Sequence, residues 1–564
     1  MPNLKALQKL ISATVGFAAA IALTGCAMIP TNSNVRTGQA VDANPDSEFL
    51  YYSPVGPSVG DSIEAIVNGF INAGTGPQND YAVAREYLSN DFRATWNPAE
   101  RTLIQNVRPA VTIYPNNTAS VAVSVVAEVD QDGIYLERSA GSTELLELEL
   151  VRENGEWRIS KAPNLTVVLK PVFENIFQSV SLYFFDSLFE YLVPDTRWFP
   201  SRASTPTRLT NALLKGPNPW LKEAVRSALP SGTKLSLNAV TVVAGVASVD
   251  LTNRALVANT LQRSLMKQQL RETLVQLENI YDVQILIERA PQDIATGNIR
   301  RPVAPASYPI ILREGQLSYP TGAAGPKLDR LNQIISNYEV KDFAIDSGFN
   351  ELVFTTPAGA YRTQLKLVPT AVSLVDARAN LLQPKIDQRG YVISAGRAAG
   401  SSILAIDKNG VAKPIELGQL IAFERTGFSL SADGARAVFT LNSANGLRVF
   451  LVPVVRDGDG SPVRFGTPHD ITPVGLSPIS ASWLDESNLI VSGTNSSDQA
   501  VSVVLKVGGF SRSISPLSEP VTAAGVNAIG NFFGLSATGN LYQYRGFGWL
   551  IVASNVSVLA YPGN

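Results

Sequence analysis

The sequence has 564 residues, of which 45% are hydrophobic and 17% are charged, so its composition is that of a folded protein of about three to five domains. Its 46 basic and 48 acidic residues nearly cancel, which leaves no cationic excess for binding nucleic acid. It contains one cysteine, Cys26, and one histidine, His469, which excludes an intrachain disulfide and a metal site of Cys and His ligands. This composition disfavours most enzyme classes and favours a binding or structural role.

The first 26 residues have the pattern of an export signal. Lys5 and Lys9 precede an apolar run from Leu10 to Leu23, which is too short for a membrane span of about 20 residues. The ending Leu-Thr-Gly-Cys at 23–26 resembles the bacterial lipobox. An uncleaved signal anchor with a buried cysteine is the alternative interpretation.

The lipobox resemblance implies a specific modification. Residues 1–25 would be removed by cleavage between Gly25 and Cys26, and Cys26 would carry a diacylglyceryl thioether and an N-linked fatty acid such as palmitate. Two acyl chains hold a protein stably in a bilayer, so we expect lipid anchoring at the extracytoplasmic face of the cell membrane. Residues 26–48 are polar and rich in Pro, Asn and Ser, which predicts a flexible tether.

Residues 49–170 are predicted to form an N-terminal α+β domain. Apolar residues at helical spacing after Asp61-Ser62 predict one helix, and residues 80–88 predict a second. Strands are predicted at 121–129, 144–151 and 157–159, the last two joined by a hairpin turn at 153–155. The side chains of Asp91, Arg93 and Trp96 could line a cleft, although surface charge and a half-buried tryptophan are favoured.

Residues 178–292 are predicted to form a second α+β domain. Residues 182–185 predict a buried strand and Val193–Asp195 a turn. The elements that should follow are helices at 207–214, 221–227 and 260–279 and strands at 234–242, 246–251 and 283–287.

This second domain resembles the GerMN, or spore-germination, family. The resemblance rests on a Leu-Leu-x-Gly-Pro turn at 213–217, a Pro-x-Gly-Thr turn at 230–233 and the strand Gly-Val-Ala-Ser-Val-Asp-Leu at 245–251. The motif residues are interpreted as architectural, because Gly216 and Pro217 end a helix and Asp250 lies at a strand end.

Residues 293–326 are predicted to be a linker, and residues 327–564 contain a repeat. Strand, acidic turn and strand recur around Asp346, Asp387, Asp433 and Asp485, with spacings of 41, 46 and 52 residues, and a weaker copy spans 526–541. Repeats of this length favour a β-propeller of about five blades, with the aspartates shaping the hairpin turns. A β-sandwich is the alternative, and the apolar run 310–312 in the linker could pair with a later strand.

The whole chain resembles the actinobacterial LpqB lipoprotein family, in which a lipobox, a GerMN domain and a C-terminal propeller follow one another. The segment Leu192–Pro200 also fits that family. The resemblance implies a non-catalytic accessory protein that binds the sensor kinase MtrB of the MtrA–MtrB two-component system and affects cell-wall and division functions. Binding of an envelope polymer, peptidoglycan or glycan, is the alternative function.

A search for catalytic motifs gives weak matches. There is no Gly-Lys pair, which excludes a P-loop, and Ser58 lies in a G-x-S-x-G pattern without a preceding apolar strand. Two S-x-x-K matches, Ser231 to Lys234 and Ser264 to Lys267, lack the K-T-G partner motif. We therefore expect no catalytic residue.

The remaining polar candidates are also interpreted structurally. His469 lies in a Pro-containing segment and is expected on the surface. The pattern Asp457-Gly-Asp459 predicts a turn rather than a calcium-binding loop. No metal or other cofactor is expected. Three aromatic residues could anchor an interface, although strand cores are favoured for them: Trp483, Tyr544 and Trp549.

Overall fold

The computed structural model of the chain describes residues 54–563 apart from 296, 298–299, 304, 322, 367–370 and 526–528. The predicted signal peptide, the lipobox residues Gly25 and Cys26 and the tether lie outside the described residues. Within the described ranges, no helix is both long enough and apolar enough to cross a bilayer.

The N-terminal domain packs short helices on a seven-stranded sheet. Its sheet order is β6-β5-β3-β1-β7, with β2 and β4 also paired to β3. The helices are α1 Ile63–Ala73, α2 Ala82–Glu86 and α3 Asn90–Arg93. The strands are β1 Arg101–Gln105, β2 Ala110–Tyr114, β3 Thr118–Asp130, β4 Tyr135–Glu137, β5 Thr143–Glu153, β6 Glu156–Lys161 and β7 Thr166–Leu169.

Sequence pattern and capping explain these elements. The Ser62 hydroxyl accepts a hydrogen bond from the Ala65 N–H at 3.2 Å and so caps α1, whose buried residues include Ile66 and Phe70. Side chains alternate between buried and partly exposed along β3, as expected for a strand with one face on the core. The predicted helices, strands and hairpin of this domain are confirmed.

The central domain contains two sheets, of order β10-β8-β9 and β11-β12-β13-β14. Its helices are α4 Lys170–Ile176, which leads into it, α5 Thr205–Lys215, a 3-10 helix Asn253–Val257 and α6 Thr260–Leu274. Its strands are β8 Phe177–Asp186, β9 Leu192–Pro200, β10 Val225–Arg226, β11 Thr241–Val243, β12 Val246–Leu251, β13 Asp282–Ile287 and β14 Ala290–Pro291.

Two predictions for the central domain are wrong. The segment Val193–Asp195 is not a turn but part of β9, where Pro194 pairs with Tyr183 of β8. Because β9 is the edge strand of its sheet, a proline without an N–H is tolerated there. The helix predicted at 221–227 does not form: residues 221–224 make a turn, and Val225 and Arg226 pair with β8. The long helix ends at Leu274 rather than 279, and the strand predicted at 234–242 is regular only at 241–243.

The C-terminal part is strand-rich and propeller-like. Five antiparallel sheets follow one another, each built from strands consecutive in the chain. The first two are β17 Asp342–Ile345, β18 Glu351–Thr356, β19 Gly359–Gln364 and β20 Val372–Asp376, then β21 Lys385–Ile386, β22 Val392–Ala395, β23 Ile403–Ile406 and β24 Ala412–Ile415. The third is β25 Glu424–Leu430, β26 Arg436–Ser443, β27 Gly446–Arg456 and β28 Pro462–Phe465, with β29 His469–Asp470 beside β27, after a 3-10 helix Gly418–Ala422. The fourth and fifth are β30 Ser477–Trp483, β31 Asn488–Thr494, β32 Ala500–Lys506 and β33 Ser511–Ile514, then β34 Pro520–Gly525, β35 Asn531–Ser536, β36 Leu541–Arg545 and β37 Trp549–Ala553.

A sixth, three-stranded sheet joins the two ends of this part. Its order is β16-β15-β38, and helix α7 precedes the first blade. The pairing of Ile310 with Ala560 confirms that the apolar run 310–312 meets a later strand, and β38 also contacts β17 and β34. The segment predicted as a linker at 293–326 therefore supplies two strands that close the propeller. These elements are β15 Ile310–Arg313, β16 Gln316–Ser318, α7 Asp329–Ile335 and β38 Val556–Ala560.

The repeated aspartates shape hairpin turns, as predicted. Asp346 Oδ1 accepts the N–H groups of Asn350 and Glu351, each at 2.6 Å. Equivalent pairs of backbone N–H groups donate to Asp387 Oδ1 and Asp485 Oδ1 at 2.7–2.9 Å. One carboxylate per repeat thus satisfies backbone donors that the turn leaves unpaired.

Candidate functional site

Strand β9 connects all three domains through an aromatic cluster. The Trp198 ring packs against Phe173 at 5.2 Å, Phe510 at 5.8 Å and Tyr135 at 6.5 Å between ring centroids. Its indole N–H donates to the carbonyl of Gly508 in the propeller at 2.9 Å. Because tryptophan burial combines a large apolar area with one directed hydrogen bond, this cluster fixes the propeller against the other domains.

The same strand carries a buried ion pair. Arg197 and Asp195 lie at 2.8 Å, and their side chains are 2% and 3% exposed. Arg197 Nη1 also donates to the carbonyl of Asp132 in the N-terminal domain at 2.9 Å. Asp195 Oδ2 accepts the Asn218 N–H at 2.7 Å, so both charges are compensated by further hydrogen bonds.

Three further ion pairs, made by two arginines, bind the propeller to the central domain. Arg389, in the turn between β21 and β22, lies 2.6 Å from Asp186 and 2.7 Å from Glu190. Arg464 lies 2.6 Å from Glu223, and the hydrogen bond from Arg464 lowers the pKa of that glutamate. The three domains are therefore held together by charged and aromatic contacts rather than by short loops alone.

A cleft of about 420 Å³ opens where the three domains meet. One wall comes from the N-terminal domain, one from the central domain and one from the third and fourth propeller blades. We call it the junction cleft. Its lining consists of residues 135–140, Asn218, Trp220, Arg448, Leu451, residues 469–475 and residues 505–509.

The junction cleft combines aromatic faces with charged groups. The rings of Trp220 and His469 are nearly parallel, at 9° and 6.2 Å between centroids. The chain's one histidine is exposed as a residue, but the protein atoms around its ring desolvate it and lower its pKa, against the effect of Asp470. His469 is therefore mainly neutral at pH 7 and presents ring nitrogens that can donate or accept.

Charge in the junction cleft is balanced between its walls. Arg448 lies 2.8 Å from Asp470. Desolvation opposes ionisation of Asp470, but hydrogen bonds from Thr472 and Arg448 outweigh it and lower the pKa. On the opposite wall, desolvation raises the pKa of Glu137, while Lys170 acts in the other direction. The cleft can thus accept and donate hydrogen bonds without a strong net charge.

The serine motifs have structural surroundings. The Ser264 hydroxyl donates to the carbonyl of Ala295 at 3.0 Å, and Lys267 Nζ donates to the carbonyl of Ile294 at 3.0 Å. These bonds hold the segment after β14 against α6. In the other two matches, the Ser58 N–H donates to Asp61 at 2.7 Å and the Ser231 carbonyl accepts from Arg254 at 3.1 Å.

The remaining sequence candidates also have local roles. Trp96 is 2% exposed, packs on Phe70 and donates to the carbonyl of Pro163, so it is a core residue rather than part of a cleft with Asp91 and Arg93. The Ser461 N–H donates to both Asp457 and Asp459, which confirms a turn. Of the three aromatic candidates, Trp483 and Tyr544 are each 3% exposed and belong to the core, whereas Trp549 is partly exposed.

Sequence reasoning missed the junction cleft, because its walls come from segments hundreds of residues apart. No sequence pattern marks Trp220, and the sequence predicts His469 only as a surface residue, which is confirmed, and not as part of a cleft. A usable signal was the pair Asp195 and Arg197 in the otherwise apolar segment 192–200, since buried charges need partners from elsewhere. Within the described residues, no group of three or more His, Cys, Asp or Glu side chains is placed to hold a metal ion.

Three family models match successive parts of the chain. The model for the N-terminal domain of lipoprotein LpqB matches residues 56–174. The model described as sporulation and spore germination matches 181–293, and the model for the β-propeller domain of lipoprotein LpqB matches 321–560. The first two matches cover the N-terminal and central domains, and the third covers the propeller apart from β15 and β16.

Curated relatives carry the same family name. Lipoprotein LpqB of Cutibacterium acnes is 31% identical over 260 residues, which is 46% of this chain and 43% of the relative. Lipoprotein LpqB of Corynebacterium jeikeium is 22% identical over 538 residues, which is 89% of this chain and 88% of the relative. The chain thus spans less than half of the first relative and most of the second.

Among solved structures, TolB from Acinetobacter baumannii is similar with a TM-score of 0.35 and 12% identity, over 46% of this chain and 68% of TolB.

Proposed function

Because the chain belongs to the LpqB lipoprotein family, we propose that it is a lipid-anchored extracytoplasmic docking protein that binds and modulates a sensor histidine kinase of the MtrB type. It has no catalytic activity of its own in this proposal. The relatives described above carry the name of a lipoprotein and no enzymatic name.

The anchor in this proposal is Cys26. It is the chain's single cysteine, and it follows a charged start and a short apolar run in the lipobox pattern. Cleavage after Gly25 would expose its amino group for N-acylation. The lipid would confine the protein to the membrane that holds the kinase and so raise the effective concentration of a weak partner.

The observation that carries the docking proposal is the junction cleft. On its rim, Leu136 of the N-terminal domain is 44% exposed and Val474 of the propeller is 47% exposed. Arg138 and the Arg448–Asp470 pair lie among the polar lining residues. Exposed apolar side chains within a polar surround are typical of protein interfaces. A segment of the kinase ectodomain lying in the cleft would contact all three domains at once.

The proposed mechanism is a bias on a kinase equilibrium. A ligand shifts two conformations only by its unequal affinity for them. The aromatic cluster of Trp198 and the Arg389–Asp186 pair limit movement between the domains, so the junction cleft keeps one shape. Such a preformed surface would favour the kinase conformation that fits it.

A binding measurement tests this proposal. The full-length protein would be titrated with the purified ectodomain of an MtrB-type kinase, and we expect saturable binding. The double variant Leu136→Glu, Val474→Glu should weaken it by about tenfold or more, because buried charge would replace apolar contact. Val243→Glu is the matched control, since Val243 is 71% exposed on a hairpin of the central domain and lies outside the cleft lining. Equal affinities for all three proteins would contradict the proposal.

One observation favours a second candidate, the binding of an envelope glycan in the same cleft. Sugar rings bind through their apolar faces to aromatic rings and through their hydroxyls to planar polar side chains. The junction cleft offers the parallel rings of Trp220 and His469 next to Arg448 and Asp470. Co-sedimentation with purified peptidoglycan, compared with His469→Ala, tests it. Sedimentation that is reduced in the variant, together with no binding of the kinase ectodomain, would support the glycan over the kinase.

A further inference from the structure

The hairpin between β36 and β37, in the fifth blade, presents an aromatic side chain to solvent. Phe547 is 96% exposed, the highest value for a large hydrophobic residue in the described part of the chain. Its backbone is fixed, because the Ser515 hydroxyl donates to the Phe547 carbonyl at 2.9 Å and the Arg545 N–H donates to the Gly548 carbonyl at 3.0 Å. The phenyl ring is therefore held outward on an ordered turn.

The exposed surface continues along the outermost strand of the same blade. Leu550 and Ile551 of β37 are 50% and 55% exposed, and among the described strands β37 pairs only with β36. The neighbouring Trp549 is held by a hydrogen bond from its indole N–H to the Ser515 carbonyl at 2.8 Å. We call Phe547, Leu550 and Ile551 the blade-five edge. Exposed apolar residues grouped in this way mark a contact surface.

The chain segment that carries the blade-five edge has few charges. Residues 520–564 contain a single charged side chain, Arg545, and no Asp or Glu. Arg545 is exposed and lies two residues before Phe547 in the same turn. This segment presents no acidic side chain to repel anionic phosphates, and its one cation can attract them.

We propose that the blade-five edge contacts the lipid bilayer, with Phe547, Leu550 and Ile551 in the interfacial region and Arg545 beside the lipid phosphates. Peripheral membrane-binding segments bury Phe and Leu side chains at this depth, and long basic side chains reach from it to the headgroups. The proposal rests on the lipid anchor of the proposed function. Residues 27–53 separate Cys26 from the described chain, and a segment of that length spans at most roughly 90 Å, which is long enough to let the blade-five edge meet the bilayer.

A bilayer explains the blade-five edge better than a protein partner does. A protein interface usually surrounds its apolar centre with polar and charged contacts. The segment that forms the blade-five edge offers Arg545 alone, whereas the junction cleft offers both signs of charge. Contact with lipid also needs no shape complementarity, which suits a convex turn more than a concave surface.

Lipidation makes this proposal directly testable. Once Cys26 is acylated its thiol is consumed, so Phe547→Cys gives the lipidated chain one free thiol for a polarity-sensitive fluorophore. The substitution touches no core, since Phe547 is almost fully exposed. Val411→Cys is the matched control, because Val411 lies at a hairpin of the second blade and is 52% exposed. Both labelled proteins would be reconstituted into vesicles of equal parts phosphatidylglycerol and phosphatidylethanolamine.

The expected result is a blue shift and a several-fold rise in emission for the label at 547, with quenching by nitroxide-bearing lipids, and no change for the label at 411. If the label at 547 keeps the emission of an aqueous environment when the protein is bound to vesicles, the proposal is overturned. A shift that appears only after the kinase ectodomain is added would also overturn it, because the blade-five edge would then bind protein. Flotation of the vesicles measures lipid anchoring separately. Protein that does not float with the vesicles is not lipid-anchored. Protein that floats, but whose label at 547 shows the emission of an aqueous environment, is anchored and lacks only the contact between the blade-five edge and the bilayer.

Discussion

Arg389 of the second propeller blade and Asp186 of the central domain form an ion pair at 2.6 Å, with side chains that are 10% and 3% exposed. The guanidinium also lies over the Tyr191 ring, 5.1 Å from its centroid. Asp186 Oδ1 accepts the N–H groups of Glu190 and Tyr191 and so shapes the turn between β8 and β9. The same carboxylate thus forms a turn in one domain and holds the neighbouring domain against it.

Removing either partner of this pair should destabilise the protein strongly. Arg389→Ala leaves Asp186 charged, buried and without its cation, which costs about 3–5 kcal/mol of unfolding free energy. Chemical denaturation followed by tryptophan fluorescence measures it. In the control Arg448→Ala, which breaks the half-exposed pair with Asp470, we expect a loss of about 0–1 kcal/mol. Equal losses in the two variants would contradict the role given to Arg389.

Trp198 should contribute to domain contact through both its ring and its N–H. Trp198→Ala removes the packing on Phe173 and Phe510 and should cost about 3–5 kcal/mol. Trp198→Phe keeps an aromatic ring but loses the hydrogen bond to Gly508, so a smaller loss is expected. Limited proteolysis between the central domain and the propeller gives a second readout, and unchanged cleavage in Trp198→Ala would count against the cluster as a domain contact.

The propeller turns provide an internal comparison between two aspartates. Asp433 Oδ1 accepts the Ala435 N–H at 2.9 Å, and Asp433 Oδ2 lies 2.5 Å from Arg436, whose side chain is 1% exposed. Asp433→Ala leaves that arginine buried without its counter-charge and should cost about 3–5 kcal/mol. Asp407 shapes a similar turn by accepting from the N–H groups of Asn409 and Val411, and it has no ion-pair partner among the residues that the structure describes, so Asp407→Ala should cost much less. A larger effect at Asp407 would refute this ranking.

Asp342 should make the stability depend on pH. Burial raises its pKa from 3.8 to about 6, against the effects of Arg397 and Lys385. The folded state therefore binds this proton more tightly than the unfolded chain does, and the associated stability is complete below about pH 4 and lost as the pH rises through 6. Asp342→Asn should remove about 1–3 kcal/mol of that pH dependence.

The measurement is the difference in unfolding free energy between Asp342→Asn and the unaltered protein at several pH values from 4 to 7. Glu339→Gln serves as the control, because Glu339 is exposed and pairs with Lys341 at the surface. A difference that stays constant over this range would show that Asp342 titrates alike in the folded and unfolded chains.

Local patterns predicted most of the fold. Alternating apolar residues located β3 and β5, and the spacing of Asp346, Asp387 and Asp433 located successive blades, because hairpin turns need the same side-chain acceptor each time. These signals are local: each depends on residues within one strand or one turn.

Features that depend on distant partners could not be predicted. Val193–Asp195 has the residues of a turn, but pairing with β8 along its whole length holds it extended. The sixth sheet pairs β15 with β38, which lie at opposite ends of the propeller sequence. The apolar run 310–312 was the one sequence feature that indicated this pairing. The junction cleft brings together Trp220 and His469, which no spacing rule connects.

The measurement that tests the central claim most directly is site-specific photo-crosslinking in living cells. A photoreactive amino acid would replace Val474 on the rim of the junction cleft, with Val243 as the control position and Cys26→Ala as the unanchored control. We predict capture of one sensor kinase ectodomain from position 474, little capture from position 243 and reduced capture without Cys26. Capture of cell-wall fragments and no kinase from position 474 would contradict the account.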